Sequence, residues 1–336
     1  MQKSQIVGRD KVQDSLFTTN KDITVSKSPF SAFESNEESE LVLKGRTTYM
    51  NAEQIALQVN NGYLKIKDED TTDLEILKAL VELEFATSRM ITIYLNLTGT
   101  YIHQEKIQTR LKSMTKLKVL SCYEFKSKGK DGKEKYSHAS VYFLDIASVY
   151  LLKSQGINTS FKLETVLKSK NGIKEILARN QLMLIYVERI KNINYTRNNP
   201  LFKVRNGEDY QPHLEIAFDF KGTMHYMLFE IIRSYDGWRK NIVKKLYSYK
   251  LFIENFTPSK RITQLPNIVL VAEDDLHAYD VMNLILENDL MIENGQYLFS
   301  TDNRLVTSDV VNSMFRISFE DEDFKTIVLK IALFDV

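Results

Sequence analysis

The sequence contains a single cysteine, Cys122, among its 336 residues. One thiol cannot form an internal disulfide or a cysteine-rich zinc site, so neither device can stabilise this chain. Because Cys122 lies among strand-like residues, we expect it to be a buried packing residue.

Long apolar segments and an excess of one charge are also missing. The first thirty residues contain no apolar stretch typical of a secretory signal, and no apolar run approaches the roughly 20 residues that cross a bilayer. We therefore expect a soluble, cytoplasmic protein with no membrane partner. Lys and Arg number 45 and Asp and Glu number 44. This balance excludes a uniformly basic nucleic-acid coat, so any DNA-binding charge must be local.

The common signatures of metal and cofactor chemistry are absent from the sequence. It has no glycine-rich phosphate loop ending in Lys-Ser or Lys-Thr, and none of its five histidines is paired at metal-binding spacing on one helix. The acidic run Glu273-Asp274-Asp275 follows an apolar strand and precedes a helix, so helix N-capping explains it without a metal. We expect no cofactor and no metal.

The length of the chain suggests two domains and a tail. Residues 1–45 are polar and read as a flexible arm, residues 46–160 as one domain and residues 161–336 as another. Within 46–160, apolar residues recur at helical spacing in three segments that begin near Asp73, Ser88 and His103. Two strand-like segments follow, near Val119–Phe125 and Ser140–Leu144. Three helices and a hairpin in this order predict a winged helix-turn-helix domain that binds double-stranded DNA.

In such a domain the third helix enters the major groove and the hairpin tip reaches phosphates. Glutamine can pair with adenine and arginine with guanine, while lysines on a loop suit phosphates. The DNA-binding candidates at the third helix are Thr100, Tyr101, His103, Gln104, Lys106, Gln108, Arg110 and Lys112. Those on the hairpin are Lys126, Lys128, Lys130, Lys133 and Lys135. A solvated turn, the wet side of an amphipathic helix, and a protein-interaction module are the alternative interpretations.

The remainder of the chain alternates strands and helices, which predicts a mixed α/β domain with a central sheet. The strands are predicted at 213–220, 224–232, 267–272 and 297–300. The longer helices are predicted at 173–190, 238–252 and 275–287. Together with the first domain, this gives an α+β fold class.

Several runs resemble the plasmid replication-relaxation family, over roughly residues 73–275. In the first domain these runs are Asp73-Leu-Glu-Ile-Leu-Lys-Ala-Leu80 and Tyr142-Phe-Leu-Asp-Ile-Ala-Ser-Val-Tyr-Leu-Leu152. Further along they are Pro212-His213-Leu214, Phe229-Glu230-Ile231-Ile232-Arg233, and Lys244-Lys245-Leu246 through Tyr249. The resemblance implies a winged helix followed by a domain similar to the PD-(D/E)xK nuclease fold, which restriction endonucleases share. It also implies that the chain comes from a plasmid, conjugative element or phage.

A nuclease of this type needs two carboxylates for Mg²⁺ and a lysine beside the attacking water. The first carboxylate position is occupied by His213 and the lysine position by Ile232, which leaves Glu230 without its partners. Glu215 or Asp219 could substitute for the carboxylate, and Lys244 could reach in from the helix. We therefore expect a degenerate, inactive nuclease-like domain, with a Mg²⁺-dependent nuclease as the alternative.

The sequence thus predicts a sequence-specific double-stranded DNA-binding protein. The resemblance places it in plasmid replication, in DNA relaxation or conjugative transfer, or in transcription regulation. Expected protein partners are replication or relaxosome proteins and a second copy of the chain, because a homodimer would bind two half-sites.

Overall fold

The computed structural model describes residues 6–8, 40–46, 49–60, 72–128, 134–136, 140–159, 168–190, 192–203, 209–292, 297–307, 313–320 and 323–328. They form helices together with antiparallel and mixed sheets, which confirms the α+β class. No helix among them is long and apolar enough to cross a membrane.

The chain divides into two compact units. A host unit combines residues 1–34 with 185–336, and an inserted unit comprises residues 35–184. The sequence instead predicted boundaries after residues 45 and 160. Two long-range pairings account for the difference. An N-terminal strand, β1 (Ile6–Gly8), pairs with a strand near the C-terminus, and buried side chains tie residues 170–184 of the helix that runs from Lys170 to Arg189 to the inserted unit.

The inserted unit begins with strand β2 (Glu40–Lys44) and helix α1 (Tyr49–Asn60). Four elements follow: α2 (Thr72–Leu83), β3 (Phe85–Thr87), α3 (Ser88–Leu97) and α4 (Gln104–Lys116). The unit continues with β4 (Leu120–Lys128), β5 (Glu134–Tyr136), β6 (Val141–Leu144) and α5 (Ile146–Ser154). It ends within α6 (Lys170–Arg189). The antiparallel sheet has the order β2–β4–β6–β3, with β5 also on β4. The three predicted helices and the two strands that follow them are therefore confirmed as elements.

Apolar side chains at helical spacing hold this unit together. Helix α4 buries Ile107, Leu111 and Met114, and α2 and α3 bury matching rows of aliphatic residues. On the sheet, the ring of Phe143 lies 5.0 Å from that of Phe85 and 4.9 Å from that of Tyr123, measured between centroids. Burial of such rows is the main stabilising term for short helices, which are marginal by themselves.

The connections between these elements are fixed by side-chain caps and one required glycine. Thr87 Oγ1 accepts the backbone N–H of Met90 and caps the N-terminus of α3. Asp145 begins α5 with a capping box. Gly45 has a φ of +81°, and a Cβ there would lie 2.6 Å from the carbonyl oxygen of Leu120. Any other residue would push β2 away from the sheet.

Buried polar groups of α6 support the corner between α2 and β3. The side-chain amide of Asn180 donates to the carbonyl oxygens of Leu83 and Phe85, at 2.6 and 2.8 Å. Arg179 pairs with Glu84 at 2.8 Å. Burial alone would raise the pKa of Glu84, but Arg179 and Lys168 outweigh it and hold that pKa below its ordinary value. This network makes residues 170–184 part of the inserted unit.

The host unit contains β7 (Ile193–Asn198), β8 (Phe202–Lys203), β9 (Asp209–Tyr210), β10 (Leu214–Phe220) and β11 (Thr223–Ile231). Helix α7 (Trp238–Glu254), β12 (Asn267–Ala272), α8 (Asp275–Glu287), β13 (Tyr297–Thr301) and α9 (Asp302–Thr307) come next. Strands β14 (Phe315–Glu320) and β15 (Asp323–Val328) complete it.

Eight strands form the main sheet of the host unit, in the order β1–β15–β14–β13–β12–β11–β10–β7. Strands β11, β12 and β13 are parallel and the other pairings are antiparallel. Helices α7 and α8 connect the parallel strands, and both pack on one face of the sheet, where Leu246, Met282 and Leu270 are buried in one core. On the other face, the ring of Tyr186 from α6 contacts that of Phe229 edge-on at 5.1 Å.

Candidate functional site

The inserted unit presents the polar side of α4 to solvent. Gln104 and Lys112 are exposed and Gln108 is half-buried, while the apolar residues of the same helix face inward. Lys106 is exposed as well. The helix follows an exposed segment, in which His103 is the N-cap and Tyr101 is 88% exposed. Thr100 is half-buried, and its N–H donates to the carbonyl of Leu95. A long polar side facing water is the geometry that a groove-reading helix needs.

Arg110 does not belong to this outward set. Its Nε donates to Oδ1 of Asp73 at 2.7 Å and its Nη2 to Oδ2 at 2.5 Å. Asp73 is fully buried and Arg110 is 18% exposed. A two-pronged contact with guanine would have to break this pair and leave a buried carboxylate unpaired. In this structure Arg110 therefore fastens α4 onto α2, and its predicted role in base reading stays a prediction.

The predicted hairpin lies between β4 and β6. Lys126 lies on β4 opposite Tyr136 of β5 and is half-buried, and Lys128 pairs in register with Glu134. Lys135 lies on β5, opposite Ser127. The tip residues Lys130 and Lys133 lie outside the described residues.

In the host unit, Glu230 near the end of β11 is the centre of a buried polar cluster. The carboxylate is 1% exposed and accepts from Lys245 and from the hydroxyl of Tyr249, the latter at 2.5 Å. The Nδ1 of His213 lies 2.9 Å from Oε1 of the same carboxylate. The backbone N–H of Ile231 donates to this nitrogen at 3.1 Å. The Nε2 of the same ring lies 3.4 Å from Nζ of Lys245.

These neighbours fix the charge state of Glu230. Burial would raise the pKa of the carboxyl, but His213 and Lys245 outweigh it, so the pKa lies below its ordinary value. Burial, with a smaller effect from Tyr297, raises the pKa of Tyr249 far above that of an exposed phenol. The phenol therefore stays protonated and donates to an ionised Glu230 at neutral pH.

The remaining positions of the nuclease pattern, Ile232 and Lys244, lie in other surroundings. Ile232, at the lysine position of the nuclease pattern, is buried among the apolar residues under α7 and α8. Lys244 is exposed, and the neighbouring Lys245 is the lysine that reaches Glu230. One helical residue corresponds to about 100° of rotation, so only one of two adjacent lysines can face the sheet. The sequence identified the helix but not the lysine.

Glu215 and Asp219, which could have replaced the first carboxylate of the nuclease pattern, have other partners. Glu215 of β10 is fully buried, accepts from Tyr195 at 2.9 Å and pairs with Arg261. Burial and this contact raise the pKa of Tyr195 to about 12. Asp219 Oδ1 accepts the N–H of Gly222 in the turn between β10 and β11. Within the described part of the chain, no group of three or more His, Cys, Asp and Glu side chains is arranged to hold a metal ion.

A third set of charges lies where the parallel strands end. Asp274 begins α8 by accepting the N–H of His277 at 2.8 Å, as the sequence predicted for this acidic run. Asp275 pairs with Arg304 through two contacts of 2.9 and 2.7 Å. Glu273 accepts from the backbone and hydroxyl of Ser234. Burial raises the pKa of Glu273 despite the opposing effect of nearby Arg233.

Comparison with known proteins yields little similarity. No family matches the chain, and no curated protein matches it. Among solved structures, the chain is similar to protein VC1899 from Vibrio cholerae, with 10% sequence identity and a TM-score of 0.26. That similarity covers 80% of this chain, which spans 56% of the length of the Vibrio protein.

Proposed function

We propose that this chain is a sequence-specific double-stranded DNA-binding protein whose inserted unit is a winged helix-turn-helix domain. The element order α2–β3–α3–α4–β4–β6 and the antiparallel strand order β4–β6–β3 support this proposal, because three helices followed by a two-stranded hairpin are the arrangement expected of that domain. The observation that carries it is α4, which buries Ile107, Leu111 and Met114 and exposes Gln104 and Lys112 on its other side.

In this proposal Gln104 and Gln108 read base edges, and Lys112 contacts phosphate. Tyr101 and His103 lie just before the helix, where backbone amides favour phosphate oxygens. The β4–β5 hairpin is the wing, and its lysines add affinity that does not depend on sequence. A homodimer on two half-sites would raise specificity.

The resemblance of the sequence to plasmid replication-relaxation proteins supports a role on a mobile genetic element. The process is then replication, DNA relaxation and transfer, or transcriptional control of the element's genes, with replication or relaxosome proteins as partners.

Selection of bound duplexes from a random library by the purified chain tests the proposal directly. We expect a recurrent motif, whose binding is then measured by fluorescence anisotropy. Gln108→Ala should reduce discrimination between the motif and scrambled DNA. Lys153→Ala, an exposed change on α5, is the control and should leave discrimination unchanged. Selection that yields no motif would refute sequence-specific binding.

We further propose that the host unit is a non-catalytic, nuclease-like scaffold. The succession α6–β7–β10–β11–α7–β12, with β11 and β12 parallel, supports the nuclease-like part of this proposal. The proposal that this unit is non-catalytic depends on Glu230, whose carboxylate is already bound by a lysine, a tyrosine and a histidine. Mg²⁺ would have to displace all three.

Supercoiled plasmid incubated with the chain and Mg²⁺ or Mn²⁺ tests the scaffold role. We expect no nicking above that of a Glu230→Ala variant. Nicking by the wild-type chain that disappears in Glu230→Ala would instead establish the nuclease alternative.

A further inference from the structure

Helix α7 of the host unit carries a concentration of positive charge. Its 17 residues include Arg239, Lys240, Lys244, Lys245 and Lys250, but only one carboxylate, that of Glu254. The whole chain, by contrast, has a net charge of +1. This helix is therefore a local basic element in a nearly neutral protein.

Three of the five cations are directed at neighbouring groups. Lys245 pairs with Glu230, Lys250 donates to the carbonyl of Asp289 at 2.7 Å, and Arg239 lies 3.5 Å from Asp280. Lys240 and Lys244 are exposed and form no ion pair with the residues that the structure describes. They account for the charge that remains available to a partner.

Tyr247 lies on the same side of α7 as these two lysines. Spacings of four and seven residues place Lys240, Lys244 and Tyr247 along one stripe, about 6 and 10 Å from the first lysine. The tyrosine ring is 51% exposed, whereas Tyr249, two residues further on, is fully buried in the core. The exposed part of the Tyr247 ring is therefore available to a partner beside two lysines that form no ion pair with the described residues.

We infer that Lys240, Lys244 and Tyr247, the α7 stripe, form a binding surface for a single strand of nucleic acid. Two lysines about 6 Å apart along a helix can contact successive phosphates, because their long side chains adapt to the spacing. The exposed ring can stack on a base only where that base is unpaired, since the bases of a duplex are stacked inside it. Charge and aromatic surface together therefore favour a single strand over a duplex.

This inference is independent of duplex binding by α4, because the two surfaces lie on different units and bind different forms of DNA. It predicts that the full chain binds fluorescein-labelled oligo(dT), which has no duplex structure. Lys240→Gln/Lys244→Gln should weaken this binding. The slope of log K against log salt should become shallower by about 1.4, or about 0.7 for each lost phosphate contact.

Tyrosine variants separate stacking from charge. Tyr247→Ala should weaken oligo(dT) binding about fivefold or more with an unchanged salt slope, because a stacked base is lost and no charge is removed. Tyr247→Phe should bind like the wild-type chain. Lys221→Gln/Arg316→Gln, which removes two exposed charges elsewhere in the host unit, should retain both affinity and slope.

Fluorescence anisotropy of the four variants and the wild-type chain, with oligo(dT) and with a mixed-sequence duplex, tests whether the α7 stripe binds a single strand. The inference is overturned if the wild-type chain does not bind oligo(dT), or if the stripe variants bind it as tightly as the wild-type chain. It is equally overturned if the control pair loses as much affinity, or if the stripe variants lose duplex binding alone.

Discussion

Arg110 and Asp73 are joined by two hydrogen bonds, from Nε to Oδ1 and from Nη2 to Oδ2, at 2.7 and 2.5 Å. Asp73 lies in the first turn of α2, and Arg110 lies in the middle of α4, 37 residues later in the chain. The pair thereby fixes the angle between α4, the proposed recognition helix, and α2.

Arg110→Ala should lower the free energy of unfolding of the inserted unit by about 3 kcal/mol, because it leaves the buried Asp73 carboxylate without its partner. Urea denaturation checks this value. Asp73→Asn in the same chain should recover part of the loss, since the unpaired charge is gone. Lys112→Ala, an exposed change on the same helix, should stay within about 0.5 kcal/mol of the wild-type chain. Unchanged stability combined with relaxed preference at one base pair would instead make Arg110 a base reader.

The hairpin between β4 and β5 should supply sequence-independent affinity. Replacing Lys128, Lys130 and Lys133 with Ala should weaken duplex binding similarly for all sequences. The salt slope should flatten by about 3, because each phosphate contact contributes about 0.9. Salt titrations on the selected motif and on scrambled DNA measure both effects. Replacing the exposed Lys153, Lys203 and Lys221 with Ala is the charge-matched control, and an identical slope in both triple variants would exclude the hairpin from the interface.

The Glu230 cluster should make the stability of the host unit depend on pH. The folded pKa lies below the ordinary value of 4.5, so the ionised carboxylate stabilises the fold fully above about that pH. This contribution is lost as the pH falls through the lower folded pKa. Glu230→Gln should therefore cost ~2 kcal/mol at neutral pH and progressively less below pH 4.5. Urea denaturation midpoints of the wild-type chain and the variant across this pH range give the difference in stability. A difference that does not change with pH would contradict an ionised Glu230.

Cys122 should behave as a structural thiol. It is buried on β4, and burial, with the nearby Glu124 carboxylate, raises its pKa to about 11. Very little thiolate is therefore present at pH 8, and reagents cannot reach it. A chromogenic disulfide reagent should react slowly with the folded chain and rapidly once guanidinium unfolds it. Rapid reaction in the folded state would show that β4 is open to solvent.

Local signals located most of the regular elements. Apolar spacing and the acidic run at Asp274 predicted α2, α3, α4, α7 and α8 to within a few residues, because these signals act within one helical turn. Strand β12 was predicted at its observed bounds. The free cysteine was also predicted correctly as buried.

Elements that depend on distant partners were not found in the sequence. Strand β2 was assigned to the flexible arm, although Gly45 and the edge of β4 hold it in the sheet. Strands β3 and β7 were missed, and β3 is only three residues long. A strand acquires most of its stability from a neighbour, so its own residues need not carry a strong pattern.

The sequence by itself determined the α+β class, the helix-rich first unit with a polar third helix, and the helix that faces Glu230. Periodicity and capping encode these features over a few residues. Only the tertiary structure decided that Arg110 binds Asp73, that Lys245 rather than Lys244 reaches Glu230, and that residues 35–184 are inserted between two parts of the host unit. The first two depend on which cation pairs with a buried carboxylate, and the third depends on strand β1 pairing with β15, so each is set by packing between segments distant in the chain rather than by neighbouring residues.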